Sequence, residues 1–370
     1  MKRNLLNLPP EEAERELREF AVSRGMEAYR GTQAANHLWH SPTPGFAEMT
    51  DLPPALRASL NEAFTLPRLA IDTRQRSQDG TEKFLFRLHD GQAIESVAIP
   101  EARRLTLCIS SQAGCALQCA FCATGAMGFA RNLEPYEIAG QVRELILLDP
   151  PIRPTNIVFM GMGEPLMNWN AVNTALTILN SPKGLGIGAR HITVSTVGIL
   201  PGIEALARRP EQFRLAISIH APNDAMRHAL MPINTKYPLA SVLAAARAFD
   251  RRVTFEYVML GGVNDQASHA RELAQHARDC RAFVNLIPLH PGGAGHFAPS
   301  SPEATDRFAR ILRDSGVEVA VRKSRGLDIA AACGQLRVER LRRRPPVPAE
   351  EDGHVQVASG VDDDGHTGDA

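Results

Sequence analysis

From Thr106 onward the chain alternates short apolar runs that read as strands with longer stretches that read as helices, and this rhythm limits the fold more than any other feature. Candidate strands cover 105–110, 156–160, 191–195, 214–219, 252–259 and 282–288, with helical stretches 137–148, 170–179, 238–249 and 266–279 between them. Six βα repeats predict an α/β fold with a parallel sheet, open or curled into a partial barrel. In such folds the chemistry gathers beyond the carboxyl ends of the strands, so the residues that follow each strand are the first place to look for it.

The flanks have a different character. Residues 1–68 read as a small helical module, because Pro9-Pro10-Glu11-Glu12 and Pro53-Pro54-Ala55-Leu56 each place proline in the first turn of a helix. Residues 69–104 read as a hairpin extension. Phe84, Phe86 and Leu88 alternate up to Asp90-Gly91, and Ile94, Val97 and Ile99 follow. The barrel then occupies 105–343. Residues 344–370 begin with Pro345, Pro346 and Pro348, carry few large apolar side chains, and are expected to form a disordered acidic tail.

Lys plus Arg and Asp plus Glu balance at 41 each, but seven of the acids follow the last basic residue, Arg344. Residues 1–344 therefore carry seven more basic than acidic side chains. A basic body is compatible with an RNA partner and equally with none. No run of about 18 apolar residues is present to cross a membrane. Six cysteines and no apolar leader describe a reduced, cytoplasmic protein.

Three of those cysteines follow the first barrel strand directly. Cys115, Cys119 and Cys122 have C-x3-C-x2-C spacing, which gives an iron-sulfur cluster three thiolates and leaves a fourth iron open to a substrate-like ligand. Structural zinc is the competing reading, but it needs further ligands in a paired motif, and no pair is visible. Phe121, just before Cys122, suits either core packing or stacking on a nucleoside. Other strand ends carry polar groups that a core strand would not need. Gly161-Met162-Gly163-Glu164-Pro165 offers glycines for close approach and a carboxylate for an amine; Ser195-Thr196-Val197-Gly198 and Ser218-Ile219-His220 end the next two strands. Each alone reads as an ordinary turn or cap; together, beside a cluster, they read as a site. Cys280 looks structural. Cys333, with Arg and Lys nearby, has the setting of an activated thiol, and Cys108 is either a small buried residue or a reactive one.

The cysteine triplet, Gly161-Met162-Gly163-Glu164-Pro165, Ser195-Thr196-Val197-Gly198, Leu230-Met231-Pro232-Ile233-Asn234 and Arg325-Gly326-Leu327-Asp328-Ile329-Ala330-Ala331-Ala332-Cys333-Gly334-Gln335-Leu336 together resemble the RlmN/Cfr family of radical S-adenosylmethionine RNA methyltransferases. The resemblance covers roughly residues 70–340 and is carried most specifically by the last of these stretches. It implies a partial (β/α)6 radical S-adenosylmethionine barrel behind an N-terminal RNA-contacting helical domain. It implies a 4Fe-4S cluster on Cys115, Cys119 and Cys122, with S-adenosylmethionine held by Gly163, Glu164, Ser195, Ser218, Ile219 and His220. Cys333 would be methylated, lose a hydrogen to a deoxyadenosyl radical, and add as a methylene to an adenine ring. Cys108 would resolve the adduct by forming a disulfide with Cys333, and Glu95 matches the family's proton acceptor. A radical route suits an electron-poor carbon such as adenine C2, which offers a cationic methyl donor no lone pair.

By the same resemblance the substrates are 23S rRNA and tRNA, an electron donor such as flavodoxin supplies the reductant, and the enzyme is a monomer away from membranes. One position departs from the pattern: the family has Asn-Pro after this strand, and this chain has His290-Pro291 followed by a glycine-rich run. Histidine still donates a hydrogen bond, so His290 is expected to stand in for that asparagine at the cofactor. The rival readings are a radical enzyme acting on C8 of adenosine, a small molecule or a protein, and an RNA-binding protein with a structural metal.

Overall fold

The computed structural model describes residues 2–290, 297–332 and 334–336. Cys333, the glycine-rich run after Pro291 and the acidic tail lie outside the described residues.

Ten strands form one sheet: β1 (Ala70–Arg76), β2 (Glu82–Arg87), β3 (Ala93–Glu101), β4 (Arg104–Cys108), β5 (Asn156–Phe159), β6 (Ile192–Thr196), β7 (Arg214–Ser218), β8 (Val253–Met259), β9 (Phe283–Pro288) and β10 (Val319–Val321). Their order across the sheet is their order along the chain. Strands β1 to β4 pair antiparallel, and β4 to β10 pair parallel, as the right-handed strand-helix-strand crossover requires. All six strands expected from the sequence are present, with ends shifted by a residue or two. The Asp90-Gly91 hairpin is present as well, but it continues the barrel sheet through β3 and β4. Two strands were not anticipated. β1 is a polar edge strand with nearly every residue exposed, and β10 is only three residues long.

The helices between parallel strands cover the outer face of the sheet. Ala270, Leu273, Ala274 and Ala277 fall at helical spacing and are the buried residues of the helix Ala267–Asp279, whose other faces stay polar. Helix Pro135–Ile146 begins with proline at its first position and with a capping box between Glu134 and Glu137. Its Arg143 is fully buried and donates to the carbonyls of Leu38 (2.9 Å) and Thr43 (2.5 Å), which ties the N-terminal helices Pro10–Ser23, Tyr29–Asn36 and Pro54–Ala63 to the outside of the barrel. Burial lowers the guanidinium's pKa to about 10, so it stays charged; the two carbonyls engage Nε and Nη2, while Nη1 lies 3.7 Å from the Glu144 carboxylate without a hydrogen-bond partner among the described residues. Among the described residues, no helix is long and apolar enough to cross a membrane.

Side chains alternate across each strand, so one parity faces the inside of the curled sheet. A cavity of about 1060 Å³ runs along that inner face, lined by Cys108, Met160, Glu256, Asn285 and Ala332 among others.

Candidate active site at the carboxyl ends of the strands

The chain leaves β4 at Cys108 and turns into the cysteine loop. A short antiparallel ladder, Gln112–Gly114 against Phe129–Asn132, closes this loop at its base. Inside it, Cys122 N–H donates to the Cys119 carbonyl (3.0 Å) and Cys115 N–H to the Gly128 carbonyl (2.8 Å). The loop is also fastened from outside. Ala120 N–H donates to the carbonyl of Leu230 (2.9 Å), Ala123 N–H to that of Gly334 (2.9 Å), and Thr124 Oγ1 to that of Leu336 (2.7 Å). Two stretches read from the sequence only as motifs, Leu230–Asn234 and the run around Cys333, therefore grip the cysteine loop from two sides.

The three thiols sit in a low-dielectric pocket. Burial pushes Cys115 up to about 11 and raises Cys119 further, and the neighbouring thiols add to both shifts. As thiolates they would repel one another and the nearby Glu164, so they become stable only with a cation among them. Three cysteine thiols brought together on one loop suit a polynuclear iron-sulfur cluster with one iron left open. Arg227 completes the setting. It is fully buried, donates through its Nη atoms to Asn234 Oδ1 (2.5 Å) and to the Val197 and Tyr237 carbonyls, and its charge lowers the Cys119 pKa. Its Nε has no partner among the described residues. Arg227 was missed in the sequence because an arginine on a short helix looks like a solvated one; its spacing of seven from Asn234 in the quoted motif was the available signal.

Glycine at 163 is explained by packing. Its φ is +98°, and a Cβ there would lie 2.5 Å from the Cβ of Gln112. Gln112 Oε1 in turn accepts the Glu164 N–H (2.9 Å), so the turn after β5 is locked against the cysteine loop. The Glu164 carboxylate is buried and accepts from Leu166 N–H (3.0 Å) and Val197 N–H (2.9 Å). Burial raises its pKa to about 7 against the opposing pull of those hydrogen bonds.

Ser195 and Ser218 lie near the ends of β6 and β7, and their hydroxyls make no hydrogen bond among the described residues. Ile219 is fully buried. His220 adopts φ +50° and its Nδ1 accepts the Val258 N–H (3.1 Å). That contact puts the ring proton on Nε2 in the neutral form. Burial, aided by the Arg227 charge, lowers its pKa to about 3, so the ring is neutral at physiological pH. Phe121 meets the His220 ring edge-on at 4.7 Å within a small apolar cluster with Leu230, Met231 and Val258, which resolves its two readings in favour of packing. His290, at the end of β9, contacts the Ser324 hydroxyl through Nε2, and burial lowers its pKa. It lines the same cavity as Cys108.

Cys108 is buried and faces Val97 across the β3–β4 ladder. Glu95, buried two residues before Val97, has Lys83 Nζ 3.1 Å from its carboxylate. Ala331, Ala332 and Leu336 line the cavity beside Cys108, which brings both flanks of Cys333 to it. No disulfide joins two cysteines among the described residues. Cys280 is buried near the Leu243 carbonyl, away from this site.

Comparisons with known proteins show the family to which the chain belongs. Residues 109–274 match the Radical SAM superfamily, and residues 3–66 match the ribosomal RNA large subunit methyltransferase N-terminal domain. A probable dual-specificity RNA methyltransferase RlmN of Gemmatimonas aurantiaca is 68% identical over 96% of this chain and 99% of its own length. The dual-specificity RNA methyltransferase RlmN of Anaeromyxobacter dehalogenans is 47% identical over 91% of this chain and 92% of its own. The crystal structure of a radical SAM methyltransferase from Sphaerobacter thermophilus superposes with a TM-score of 0.84, at 44% identity, covering 90% of this chain and 99% of that one.

Proposed function

The chain belongs to the RlmN family of radical S-adenosylmethionine RNA methyltransferases, and we propose that it methylates C2 of adenosine in both 23S rRNA and tRNA. The observation that carries this reading is the fastening of the cysteine loop to the residues just after Cys333, through the carbonyls of Gly334 and Leu336, while Ala331 and Ala332 just before it line the cavity that holds Cys108. A radical enzyme acting directly on a small molecule has no need of a cysteine-bearing segment fastened to its cluster loop.

On this reading Cys115, Cys119 and Cys122 hold a 4Fe-4S cluster, which when reduced supplies the electron that cleaves S-adenosylmethionine. Glu164, as the anion, receives the amino group of the cofactor. The backbone at Gly163 and Ile219, the unengaged hydroxyls of Ser195 and Ser218, the Nε2 of His220 and the ring of His290 line the rest of its site. Cys333 carries the methyl group, Glu95 accepts the proton released from the modified carbon, and Cys108 frees the product by forming a disulfide with Cys333. Residues 1–68 serve as the RNA-contacting module, 69–104 as the hairpin extension, 105–343 as the barrel and 344–370 as an acidic tail. The enzyme acts in the cytoplasm as a monomer with a one-electron donor such as flavodoxin.

Mass spectrometry of nucleosides tests the proposal, using rRNA and tRNA from cells lacking this gene after anaerobic incubation with the reconstituted enzyme, S-adenosylmethionine and a reductant. New 2-methyladenosine in both RNAs is expected. 8-Methyladenosine would reassign the carbon attacked, and deoxyadenosine release without any methylated adenosine would reassign the substrate.

A further inference from the structure

Asn264 stands in the run Gly261-Gly262-Val263-Asn264-Asp265 between β8 and the helix Ala267–Asp279, where sequence alone would make it a turn residue exposed to water. It is fully buried, and every polar atom of its side chain is engaged. Oδ1 accepts the Leu260 N–H (2.7 Å), and Nδ2 donates to the Val258 carbonyl (2.7 Å) and to the His220 carbonyl (2.9 Å). Two carbonyls on one side and an N–H on the other fix which way the side-chain amide points. One side chain therefore ties the end of β8 to the loop after β7.

What it ties is a strained turn. His220 has φ +50°, and the Ala221 N–H donates to the Ile219 carbonyl across it (2.7 Å), so His220 is the central residue of a three-residue turn of the left-handed kind. A residue with a side chain keeps such a conformation only where its surroundings impose it. Here the Glu256 carbonyl accepts the N–H groups of Ile219 (3.1 Å) and His220 (3.3 Å), the ring Nδ1 accepts the Val258 N–H, and Asn264 holds the carbonyl through which the chain leaves the turn.

We infer that Asn264 is a positioning residue for the cofactor: by holding the His220 carbonyl against β8 it keeps the turn in its left-handed form, and so presents the Ile219 backbone and the His220 ring to S-adenosylmethionine. The inference rests on the reading of Ile219 and His220 as part of that site. The loop that carries Asn264 has other fastenings, because Tyr257 Oη donates to the Asn264 carbonyl (2.7 Å) and the Gly261 N–H to the Ala298 carbonyl (2.8 Å). Glycine separates strain from packing, since it takes a positive φ without steric cost. In a His220→Gly background the turn no longer needs to be forced, whereas a packing role for Asn264 would be the same in either background.

The test measures S-adenosylmethionine affinity by calorimetric titration of anaerobic, cluster-loaded wild type, Asn264→Ala, Asn264→Asp, His220→Gly and the two double variants. Hydrogen exchange at the Ala221 amide is followed in the ligand-free proteins, and in wild type with saturating cofactor. Asn264→Ala is expected to weaken binding about tenfold, the effect of two lost hydrogen bonds, and to quicken exchange at Ala221 by roughly tenfold or more. Asn264→Asp keeps the shape and the acceptor for Leu260 but, ionised, has no hydrogen to donate, so it is expected to do the same and serves as the test if Asn264→Ala does not fold. In the His220→Gly background either substitution is expected to weaken binding by less than about twofold more. Equal losses in both backgrounds overturn the inference in favour of packing, and wild-type affinity in the Asn264 variants overturns it outright. Exchange at Ala221 that saturating cofactor does not slow in wild type removes instead the reading on which the inference rests.

Discussion

The Glu164 carboxylate accepts the Val197 N–H across 2.9 Å, so the loops after β5 and β6 are stitched together by one buried acid. Its pKa of about 7 lies above the usual 4.5, which fixes the sign of its pH dependence. Its contribution to stability is fully present below pH 4.5 and is lost as pH rises towards 7. Thermal melts of the ligand-free protein should therefore show wild type losing stability relative to Glu164→Gln over that window. S-Adenosylmethionine affinity, which uses the anion, should rise over the upper part of the same range and fall at least tenfold in Glu164→Gln, as calorimetric titration would read. Wild-type affinity that stays flat from pH 6 to 8 would detach Glu164 from the cofactor's amine.

His220 behaves in the opposite way, since its pKa of about 3 keeps it neutral throughout the working range. Its Nδ1 is committed to Val258 N–H. His220→Ala should expose that amide, and hydrogen exchange at Val258 should quicken at least tenfold while the rest of β8 stays protected. Unchanged exchange at Val258 would show that the ring does not hold the strand end.

Arg227 presents a buried guanidinium near Cys119, its Nε without a partner among the described residues. Removing a positive charge makes a nearby cluster harder to reduce. Arg227→Met is expected to lower the reduction potential of the reconstituted protein by roughly tens of millivolts at matched iron content. Spectroscopic titration checks this, and an unmoved potential would confine Arg227 to bracing Val197 and Asn234.

Gly326 has φ +63°, and a Cβ there would lie 2.8 Å from Ala331 Cβ and 2.9 Å from Thr81 Cγ2. Gly326→Ala should loosen the segment from the β1–β2 loop at a cost of about 1–2 kcal/mol. Limited proteolysis should then cut within 326–332 at least several-fold faster while iron content is retained. Equal cutting rates would mean that the loop yields to the extra methyl group.

The parts of this fold that were legible in the sequence are those where burial imposes a pattern. β8 announces itself because nearly every residue in it is buried, β9 because Val284 and Leu286 are buried on one face, and helix Ala267–Asp279 because its apolar residues recur at helical spacing. β1 was not legible, since an exposed edge strand of Asp72, Thr73, Arg74, Gln75 and Arg76 buries almost nothing and so carries no apolar period. The candidate site divides in the same way. Cys115, Glu164 and His220 sit where strands end, a place that sequence can locate. Lys83 and Arg227 were not singled out, because a charged residue buried by its partners looks in sequence much like one left in water; for Arg227 only its spacing from Asn234 gave a signal.

The hydrogen bond from Ser77 to Asp328 joins positions 251 residues apart, whereas each strand of the sheet pairs only with strands adjacent to it in the chain. As the chain leaves the ribosome, every strand can therefore add to the one made just before it, whereas the cysteine loop waits for Leu230 and then for Gly334 and Leu336. The clasp around residues 326–330 must wait until more than three hundred residues have been made, then close on a hairpin formed much earlier. A nascent chain that has not yet reached Asp328 would carry a nearly complete sheet with its early hairpin loop still waiting for that partner.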